Sequence, residues 1–295
     1  MRYRTPIAFL ALGAIWGTSF PAVRAGVRVI PPVLFAALRF DATAVVLLAF
    51  VIGSGARWRP RREEWRGIVV GAATFVALHH ALLFAGQQYV TSAVAAVVVA
   101  TIPILTAGLS SAALPEERLA PLGVVGLGFG FLGTVVVADP SPSALRTTDA
   151  VGVSLVFASA LAFAVGAVAV ERTRTDLPVA ALQGWMMAVG APLLHAASLV
   201  LDEPQSIEWT PAAVAAFGYL VPVAGVLGYL LYFDLLDRVG SVELNLVSYV
   251  VPIVAALTGW IALNESLALE TALGFVLVAS GFVLVKRRAV ASLLA

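Results

Sequence analysis

Long apolar runs follow one another along almost the whole chain, separated by short segments that carry charged residues, proline or glycine. A helix that crosses a membrane needs about 20 mostly apolar residues. Ten runs meet this requirement, at 6–23, 32–53, 67–88, 91–113, 119–138, 150–170, 178–201, 211–233, 241–263 and 267–285. These runs are continuously apolar, whereas transmembrane strands would alternate apolar and polar residues. The pattern therefore predicts an all-α integral membrane protein with ten transmembrane helices.

The composition strengthens this prediction and excludes several classes of protein. Apolar residues make up 61% of the 295 residues, charged residues make up 12%, and the net charge is +1. Such a chain has too little polar surface to cover a water-soluble globule, so we expect it to lie in a lipid bilayer. It lacks the basic excess of a nucleic-acid binder, so no nucleic-acid partner is expected. Because the chain has no cysteine, thiolate nucleophiles and cysteine metal sites are excluded.

The distribution of lysine and arginine predicts the orientation. The first run follows Arg2 and Arg4 without a convincing cleavage site, so we interpret it as a retained helix. If the N-terminus is cytoplasmic, the inside segments hold fourteen lysine and arginine residues and the outside segments hold three. This bias follows the positive-inside rule. We therefore expect a multi-pass protein of the cell (plasma) membrane with both termini in the cytoplasm.

The two halves of the chain resemble each other at a shift of 149 residues. The aligned pairs include Leu82 with Leu231, Phe84 with Phe233, Ser92 with Ser241, Pro103 with Pro252 and Glu116 with Glu265. Each half has five spans, an odd number, so the second half enters the membrane in the opposite orientation. This predicts two inverted repeats, at 1–140 and 150–288. Inverted repeats are typical of secondary transporters, with a substrate site near the midplane between the halves. The alternative is a duplication kept for folding alone.

Several motifs resemble those of the EamA-type members of the drug/metabolite transporter superfamily. They are Ile15–Trp16–Gly17–Thr18–Ser19–Phe20, Leu38–Arg39–Phe40, the stretch from Pro103 to Glu116, and its repeat from Pro252 to Asn264–Glu265. The resemblance covers essentially the whole chain. It implies transport of small metabolites, often export, by alternating access. It also implies a central cavity lined mainly by spans 1, 3, 4, 6, 8 and 9.

Polar and aromatic residues inside the spans are the candidates for a substrate-binding site, because polar groups in a bilayer are costly. The candidates are Trp16 and Ser19 in span 1, His80 and Gln87 in span 3, Tyr229 and Tyr232 in span 8, and Asn245, Ser248 and Tyr249 in span 9. The span 9 residues and Pro252 have a spacing that places them on one helix face. We expect these side chains to line the cavity. Interhelical hydrogen bonding and ordinary packing are the alternatives.

The ionisable residues inside the spans allow both functional and structural interpretations. His80 could titrate and couple protons to transport, but a histidine satisfied by a neighbouring carbonyl is favoured. Arg39 could hold an anionic substrate group, but a structural role is favoured because the resemblance implies an arginine here whatever the substrate. Arg39 and Asp41 point to nearly opposite sides of their helix and are not expected to pair. His195 is expected to be structural.

Two further features are interpreted as structural. Glu116 and Glu265 immediately precede spans 5 and 10, where a carboxylate caps free N–H groups and favours the helix dipole. Small residues let helices approach closely, and the spacing of the glycines in span 5 forms a bare stripe. This stripe consists of Gly123, Gly126, Gly130 and Gly133. We expect it to pack within its own half or at a homodimer interface.

The function predicted is therefore a secondary transporter of small organic metabolites that works by alternating access, with export favoured. No catalytic residues, cofactor or metal are expected, and the protein is not expected to be an enzyme. There is no Walker A motif, so ATP is not the direct energy source. Proton coupling and a homodimer are left open. The alternatives are a lipid-carrier flippase, an intramembrane enzyme and a structural subunit. A metabolite site requires that Trp16, His80, Asn245 and Tyr249 line one closed, water-filled cavity.

Overall fold

The computed structural model describes residues 4–113, 120–137, 148–173, 175–245, 247–285 and 287. All regular structure in these residues is helical. Seven helices are long and apolar enough to cross a membrane, and three shorter apolar helices accompany them. The predicted all-α fold with ten spans is therefore confirmed.

We number the helices α1 to α10 by span. The first half consists of α1 (Arg4–Gly26), α2 (Pro32–Gly53), α3 (Arg62–Gly86), α4 (Ser92–Val99 and Ile102–Ala113) and α5 (Pro121–Val137). The second half consists of α6 (Thr148–Glu171), α7 (Val179–Val200), α8 (Pro211–Tyr219, Leu220–Leu227 and Gly228–Asn245), α9 (Val247–Leu263) and α10 (Leu269–Val285).

Helix α8 is longer than the sequence predicts. The charged residues after 233 were expected to end span 8, but the helix continues to Asn245, and α9 begins at Val247. The charges do not break the helix because Arg238 and Asp234 pair one turn apart, with Nη2 and Oδ1 at 2.6 Å. The residues from 228 to 245 are thus helical without a described break, and residue 246, which precedes Val247, lies outside the described residues. The start of span 9 at 241 stays a prediction.

A proline interrupts α4. Proline has no N–H group, so Pro103 cannot donate to the carbonyl of Val99, and the first segment of α4 ends at that residue. The hydroxyl of Thr101 donates to the carbonyl of Val98 at 2.6 Å and satisfies an acceptor near the break. The corresponding Pro252 lies inside the continuous helix α9. The two halves therefore differ in how they accommodate the same proline.

The packing between the halves follows the internal repeat. Helices at the same position in each half pack together, α2 against α7 and α5 against α10. Contacts between helices at different positions also have a counterpart in the other half. The contact of α1 with α9 corresponds to that of α6 with α4, and the contact of α3 with α7 corresponds to that of α8 with α2. Exchanging the halves leaves these contacts unchanged. This is the packing expected of two repeats related by a pseudo-two-fold axis.

Glycines bring α5 and α10 into close contact. A Cβ at Gly126 would lie 2.6 Å from the carbonyl oxygen of Gly281, and a Cβ at Gly133 would lie 2.8 Å from that of Gly274. The same distances hold in the reverse direction. These backbone contacts leave no room for side chains. The prediction that the stripe packs within its own half or in a dimer is wrong for Gly126 and Gly133, which pack against the other half.

Glu265 caps α4 rather than α10. Its Oε2 accepts the N–H of Ser92 at 3.0 Å, and its Oε1 accepts the hydroxyl of Ser92 at 3.1 Å. The Nε of Arg24 lies 3.8 Å from Oε1. Sequence analysis predicted the capping role, but α10 begins later, at Leu269, and the nearest helix N-terminus belongs to the other half. Glu116, the repeat counterpart of Glu265, lies outside the described residues.

A helix C-cap places the Glu265 carboxylate. Asn264 adopts a left-handed conformation with φ of 54°, which asparagine tolerates better than most residues. The N–H of Glu265 then donates to the carbonyl of Gly259 at 3.2 Å, six residues back, as in a Schellman motif. The turn ends α9 and directs Glu265 towards α4.

We expect Gly126→Ala to destabilise the protein, because the added methyl group must push α5 away from the backbone of α10. The cost of such overpacking is about 1–3 kcal/mol. Gly128→Ala is the matched control, since a Cβ there meets nothing within 4 Å. Thermal unfolding of the purified protein in detergent measures the difference. Equal unfolding temperatures for the two variants would contradict this account of the contact between α5 and α10.

We expect Glu265→Ala to loosen the N-terminus of α4, because the N–H of Ser92 loses its acceptor. The cost of losing a helix cap is about 0.5–2 kcal/mol. Hydrogen–deuterium exchange at residues 92–94 should become faster in this variant. Glu270→Ala, at an exposed position in the first turn of α10, is the control and should leave this exchange unchanged. Protection of α4 that survives Glu265→Ala would show that the cap is unimportant.

Candidate substrate site

Arg39 is buried in α2, with 8% of its surface exposed. Its guanidinium carbon lies 5.1 Å from the ring centre of Phe40 and 5.9 Å from that of Phe84. Among the described residues it has no ion pair, and its buried Nε has no hydrogen-bond partner. On insertion scales, placing an arginine at the bilayer centre costs about 2.5–3.5 kcal/mol. A desolvated cation–π contact stabilises it by up to about 2 kcal/mol. The aromatic contacts offset the charge but satisfy no N–H group.

An aromatic group joins α1 to α8. The indole of Trp16 lies edge-on to the ring of Tyr229, with centroids 5.9 Å apart, and is tilted against the ring of Tyr232 at 5.4 Å. The prediction that the two tyrosines share a face is confirmed, because both contact Trp16. Gly228 makes this approach possible, since a Cβ there would lie 2.8 Å from Trp16 Nε1.

Tyr229 connects the aromatic group to Arg39. Helix α8, which carries Tyr229, packs against α2, which carries Arg39, and against α7, which carries Gln183. Sequence analysis did not select Gln183, although an amide inside the apolar run of α7 is the signal that could have found it. We call the group of Trp16, Arg39, His80, Gln183, Tyr229 and Tyr232 the Arg39 cluster. Its residues come from both halves of the chain.

His80 lies on the first-half side of the Arg39 cluster. Its ring is 4.4 Å from that of Phe40 and 6.1 Å from that of Phe84, the two rings that also contact Arg39. Its Nδ1 lies 2.9 Å from the carbonyl oxygen of Phe75. A carbonyl only accepts, so Nδ1 carries the proton of this hydrogen bond. The favoured interpretation of His80, a histidine satisfied by a neighbouring carbonyl, is confirmed.

Two wide helical segments flank the Arg39 cluster. Ala72–Leu78 in α3 and Leu220–Leu227 in α8 are both π-helical. Each ends just before a cluster residue, His80 in α3 and Tyr229 in α8. These two residues are related by the 149-residue shift, so the same irregularity occurs at the same place in both repeats. Hydropathy does not report helical winding, so sequence analysis missed it. Such π segments are often found at functional sites.

Ser19 and Gln87 make their contacts elsewhere. The Ser19 hydroxyl donates to the carbonyl of Trp16 within α1. Gln87 is fully buried and donates from Nε2 to the carbonyl of Phe20 at 3.1 Å, while its Oε1 has no partner among the described residues. Its backbone carbonyl accepts from Arg24, which also lies beside Glu265. Gln87 therefore belongs to a group at one end of the bundle.

Tyr249 is the candidate from span 9 whose side-chain contacts the structure describes best. Tyr249 lies against α10, with its ring 4.8 Å from Phe282 and 6.5 Å from Phe275. Its hydroxyl is buried without a partner among the described residues. Ser248 is half-buried, and the side chain of Asn245 lies outside the described part. The ring neighbours of Tyr249 are thus in α10 rather than in the Arg39 cluster.

Asp41 and His195 pair with each other at the periphery of the helix bundle. Asp41 Oδ2 and His195 Nε2 are 2.7 Å apart, and the side chains are 48% and 35% exposed. The prediction that Arg39 and Asp41 do not pair is confirmed, because Asp41 turns away towards α7. His195 ties α7 to α2, as expected for a structural residue.

The two clearest grooves are apolar and lie away from the Arg39 cluster. One, of about 270 Å³, lies between α4, α5 and α6, and the other, of about 250 Å³, lies between α4, α9 and α10. The described part of the chain contains no group of three or more histidine, aspartate or glutamate side chains that could hold a metal. The Arg39 cluster is therefore the place where hydrogen-bond donors and aromatic faces meet between the halves.

Comparison with known proteins identifies the family. The family model of EamA-like transporters matches residues 4–138 and again residues 150–287. The uncharacterized inner membrane transporter YedA of Escherichia coli is 29% identical over 88% of this chain and 84% of its own. An uncharacterized transporter of Archaeoglobus fulgidus is 27% identical over 92% of this chain and 95% of its own. The uncharacterized transporter YoaV of Bacillus subtilis is 22% identical over 93% of this chain and 94% of its own.

A solved crystal structure shows the same fold. It aligns with 98% of this chain and 99% of its own, with a TM-score of 0.64 and 24% sequence identity. The family model covers nearly all of both halves, and the structure contains helices enough for about ten spans. The chain therefore belongs to the EamA-like transporter family of the drug/metabolite transporter superfamily and is a multi-pass membrane protein.

Proposed function

We propose that the protein is a secondary transporter that exports a small organic metabolite across the cell membrane by alternating access, with both termini in the cytoplasm. The observation that carries this proposal is the packing of the halves, in which the main helix pairs recur when the halves are exchanged. Two halves of opposite orientation can exchange their conformations, and a site between them then opens to the other side. The Arg39 cluster lies between the halves, as such a site requires.

Contacts at the outer end of the bundle support an inward-facing or closed state. By the orientation proposed, Ser92 and Glu265 lie on the outer side, where the carboxylate joins α4 to the end of α9. Arg24 adds a contact from α1. The repeat places Glu116 and Ser241 at the equivalent inner position. We expect the outer contacts to release as the inner ones form.

A metabolite fits the described surfaces better than a lipid carrier does. A flippase needs a groove that opens sideways and presents polar groups to the lipid. The two described grooves are lined almost entirely by apolar residues. The polar groups between the halves belong to the enclosed Arg39 cluster. This arrangement favours a small ligand that is surrounded by protein.

Transport in proteoliposomes tests the proposal. Vesicles are loaded with a defined metabolite mixture, with or without a pH gradient, and release is measured by mass spectrometry against protein-free vesicles. We expect selective release of one chemical class. No release by folded protein in either orientation would contradict metabolite export. When the Nδ1–H of His80 donates to a carbonyl, Nε2 is the atom that can still take a proton, so loss of the gradient dependence in His80→Gln would identify His80 as the proton carrier.

A disulfide lock tests alternating access. A Cβ at Gly259 would lie 3.3 Å from the Cβ of Ser92, close to the usual separation in disulfides of about 3.5–4.5 Å. The Glu265 carboxylate would have to turn aside. The native chain has no cysteine, so Ser92→Cys with Gly259→Cys forms the one available pair. We expect oxidation to stop transport and reduction to restore it.

Each single cysteine variant serves as the control, since it cannot form the bridge and should transport under both conditions. Mass spectrometry after alkylation measures how much of the double variant is bridged. Undiminished transport by fully bridged protein would contradict an exchange that separates α4 from α9 on the outer side.

A further inference from the structure

In place of the structural role that the sequence favoured for Arg39, we propose that the Arg39 cluster binds the carboxylate of a small organic monoanion with an aromatic body, which rests on the proposed transport function. Arg39 and the Tyr229 hydroxyl bind the carboxylate, and the rings of Trp16 and Tyr232 hold the body. The one observation behind this assignment is a guanidinium, more than nine-tenths buried, that has aromatic neighbours but no described acceptor.

The donors of Arg39 require an oxygen acceptor from outside the described protein. A guanidinium carries five N–H donors in a planar fork that matches a carboxylate. Phe40 and Phe84 present only ring faces or edges to it. His80 cannot supply a second partner through Nδ1, because that atom is occupied by the carbonyl of Phe75. A carboxylate would accept from Arg39 in two places and would compensate its charge.

The neighbours of Tyr229 define the rest of the site. Tyr229 lies on α8, which packs against the helix of Arg39, so we assign its hydroxyl as a further donor to the same carboxylate. Its ring and that of Tyr232 lie against Trp16. An aromatic body adjoining the carboxylate would find stacking or edge-on partners there.

The same surroundings favour a monoanion over an amino acid. An ammonium group would gain most from a carboxylate beside Arg39, and no described carboxylate pairs with Arg39. Asp41 pairs with His195 at the periphery of the helix bundle, and Asp234 pairs with Arg238 at an exposed position. Glu265 is engaged by Ser92 at the outer end. The described part of the site therefore offers a charged partner to a carboxylate but none to an ammonium group.

The π-helical segments support a ligand site independently of the charge. They end two residues before His80 and Tyr229, which are repeat counterparts. The irregular helices and the unpaired guanidinium occur at the same place.

Calorimetric titration of the purified protein tests the proposal without requiring transport. The probes are indole-3-acetate, its uncharged amide, and L-tryptophan, which has the same ring and carboxylate with an added ammonium. We expect indole-3-acetate to bind at least about tenfold more tightly than either of the others. Equal binding of the acid and the amide would overturn the proposal, as would tighter binding of L-tryptophan.

Competition by chloride and by inorganic phosphate tests whether the site takes any anion. Displacement of indole-3-acetate by an equal concentration of either ion would also overturn the proposal.

Variants of the donors assign the site. Arg39→Gln should weaken binding of indole-3-acetate at least about tenfold while leaving the amide unaffected, and Tyr229→Phe should weaken it several-fold. Arg66→Gln is the control, because it removes the same charge at an exposed position before the apolar part of α3. Unchanged affinity in folded Arg39→Gln protein would overturn the assignment.

Thermal unfolding of Arg39→Met separates a ligand-binding role from a structural one and serves if Arg39→Gln does not fold. If Arg39 serves only to bind the ligand, its buried and unpaired charge destabilises the ligand-free protein. The apolar replacement should then raise the unfolding temperature by a few degrees. The added stabilisation from indole-3-acetate should then disappear. A structural arginine would give a lower unfolding temperature with stabilisation by the ligand intact, and that result would overturn the proposal.

The two proposals can fail separately. Selective release of neutral or cationic metabolites from vesicles, with no binding of indole-3-acetate, would leave the transporter standing and remove the carboxylate site. Binding that depends on Arg39, in protein that releases nothing from vesicles, would support the site and contradict transport.

Discussion

In the hydrocarbon of a bilayer there is no water to satisfy a polar group, so each one must find its partner within the protein. Most of the polar contacts in this structure follow from that constraint. The hydroxyls of Thr43, Thr74 and Thr258 return to carbonyls one turn earlier in their helices. Glu265 satisfies Ser92 from the other half of the chain, and Asp41 satisfies His195. Atoms of Arg24, Arg39, Gln87 and Tyr249 depart from the rule among the described residues. Of these, Arg39 is the charged residue with neither an ion pair nor a hydrogen bond there, and it lies between the halves, where a transporter must bind its ligand.

The internal repeat explains how one backbone plan gives a chemically asymmetric site. The 149-residue shift places His80 opposite Tyr229 and Arg39 opposite Ala188. The π-helical segments recur at the same positions, so the backbone geometry around the pair is shared. Only the side chains differ: the first half contributes a guanidinium, an imidazole and the indole of Trp16, and the second contributes phenols and an amide. Two similar halves can therefore exchange conformations while the charged group of the site stays in one half.

The fold was predictable from the sequence because the apolar runs are long and their connections are short. The end of α8 was not, because a pair such as Asp234 and Arg238 can either end a span or continue it as a solvated helix. The role of Glu265 was predicted as capping, but the choice of helix depended on contacts between the halves, which spacing along one chain does not contain. For the site, the tyrosine pair could be predicted from its spacing. The importance of Arg39 could not, because it depends on which partners are missing from its surroundings.

The outer contacts and the Arg39 cluster are carried by the same helices. Gln87, at the end of α3, donates to the carbonyl of Phe20 on α1 and accepts from Arg24 on the same helix. Trp16 lies one turn before Phe20, and His80 lies two turns before Gln87. A ligand that displaces Trp16 or separates α1 from α3 therefore acts on the helices that hold Arg24 beside Glu265. Contiguity of this kind does not by itself establish coupling. It does identify α1 and α3 as the elements that must move if occupancy of the site and closure of the outer end are linked.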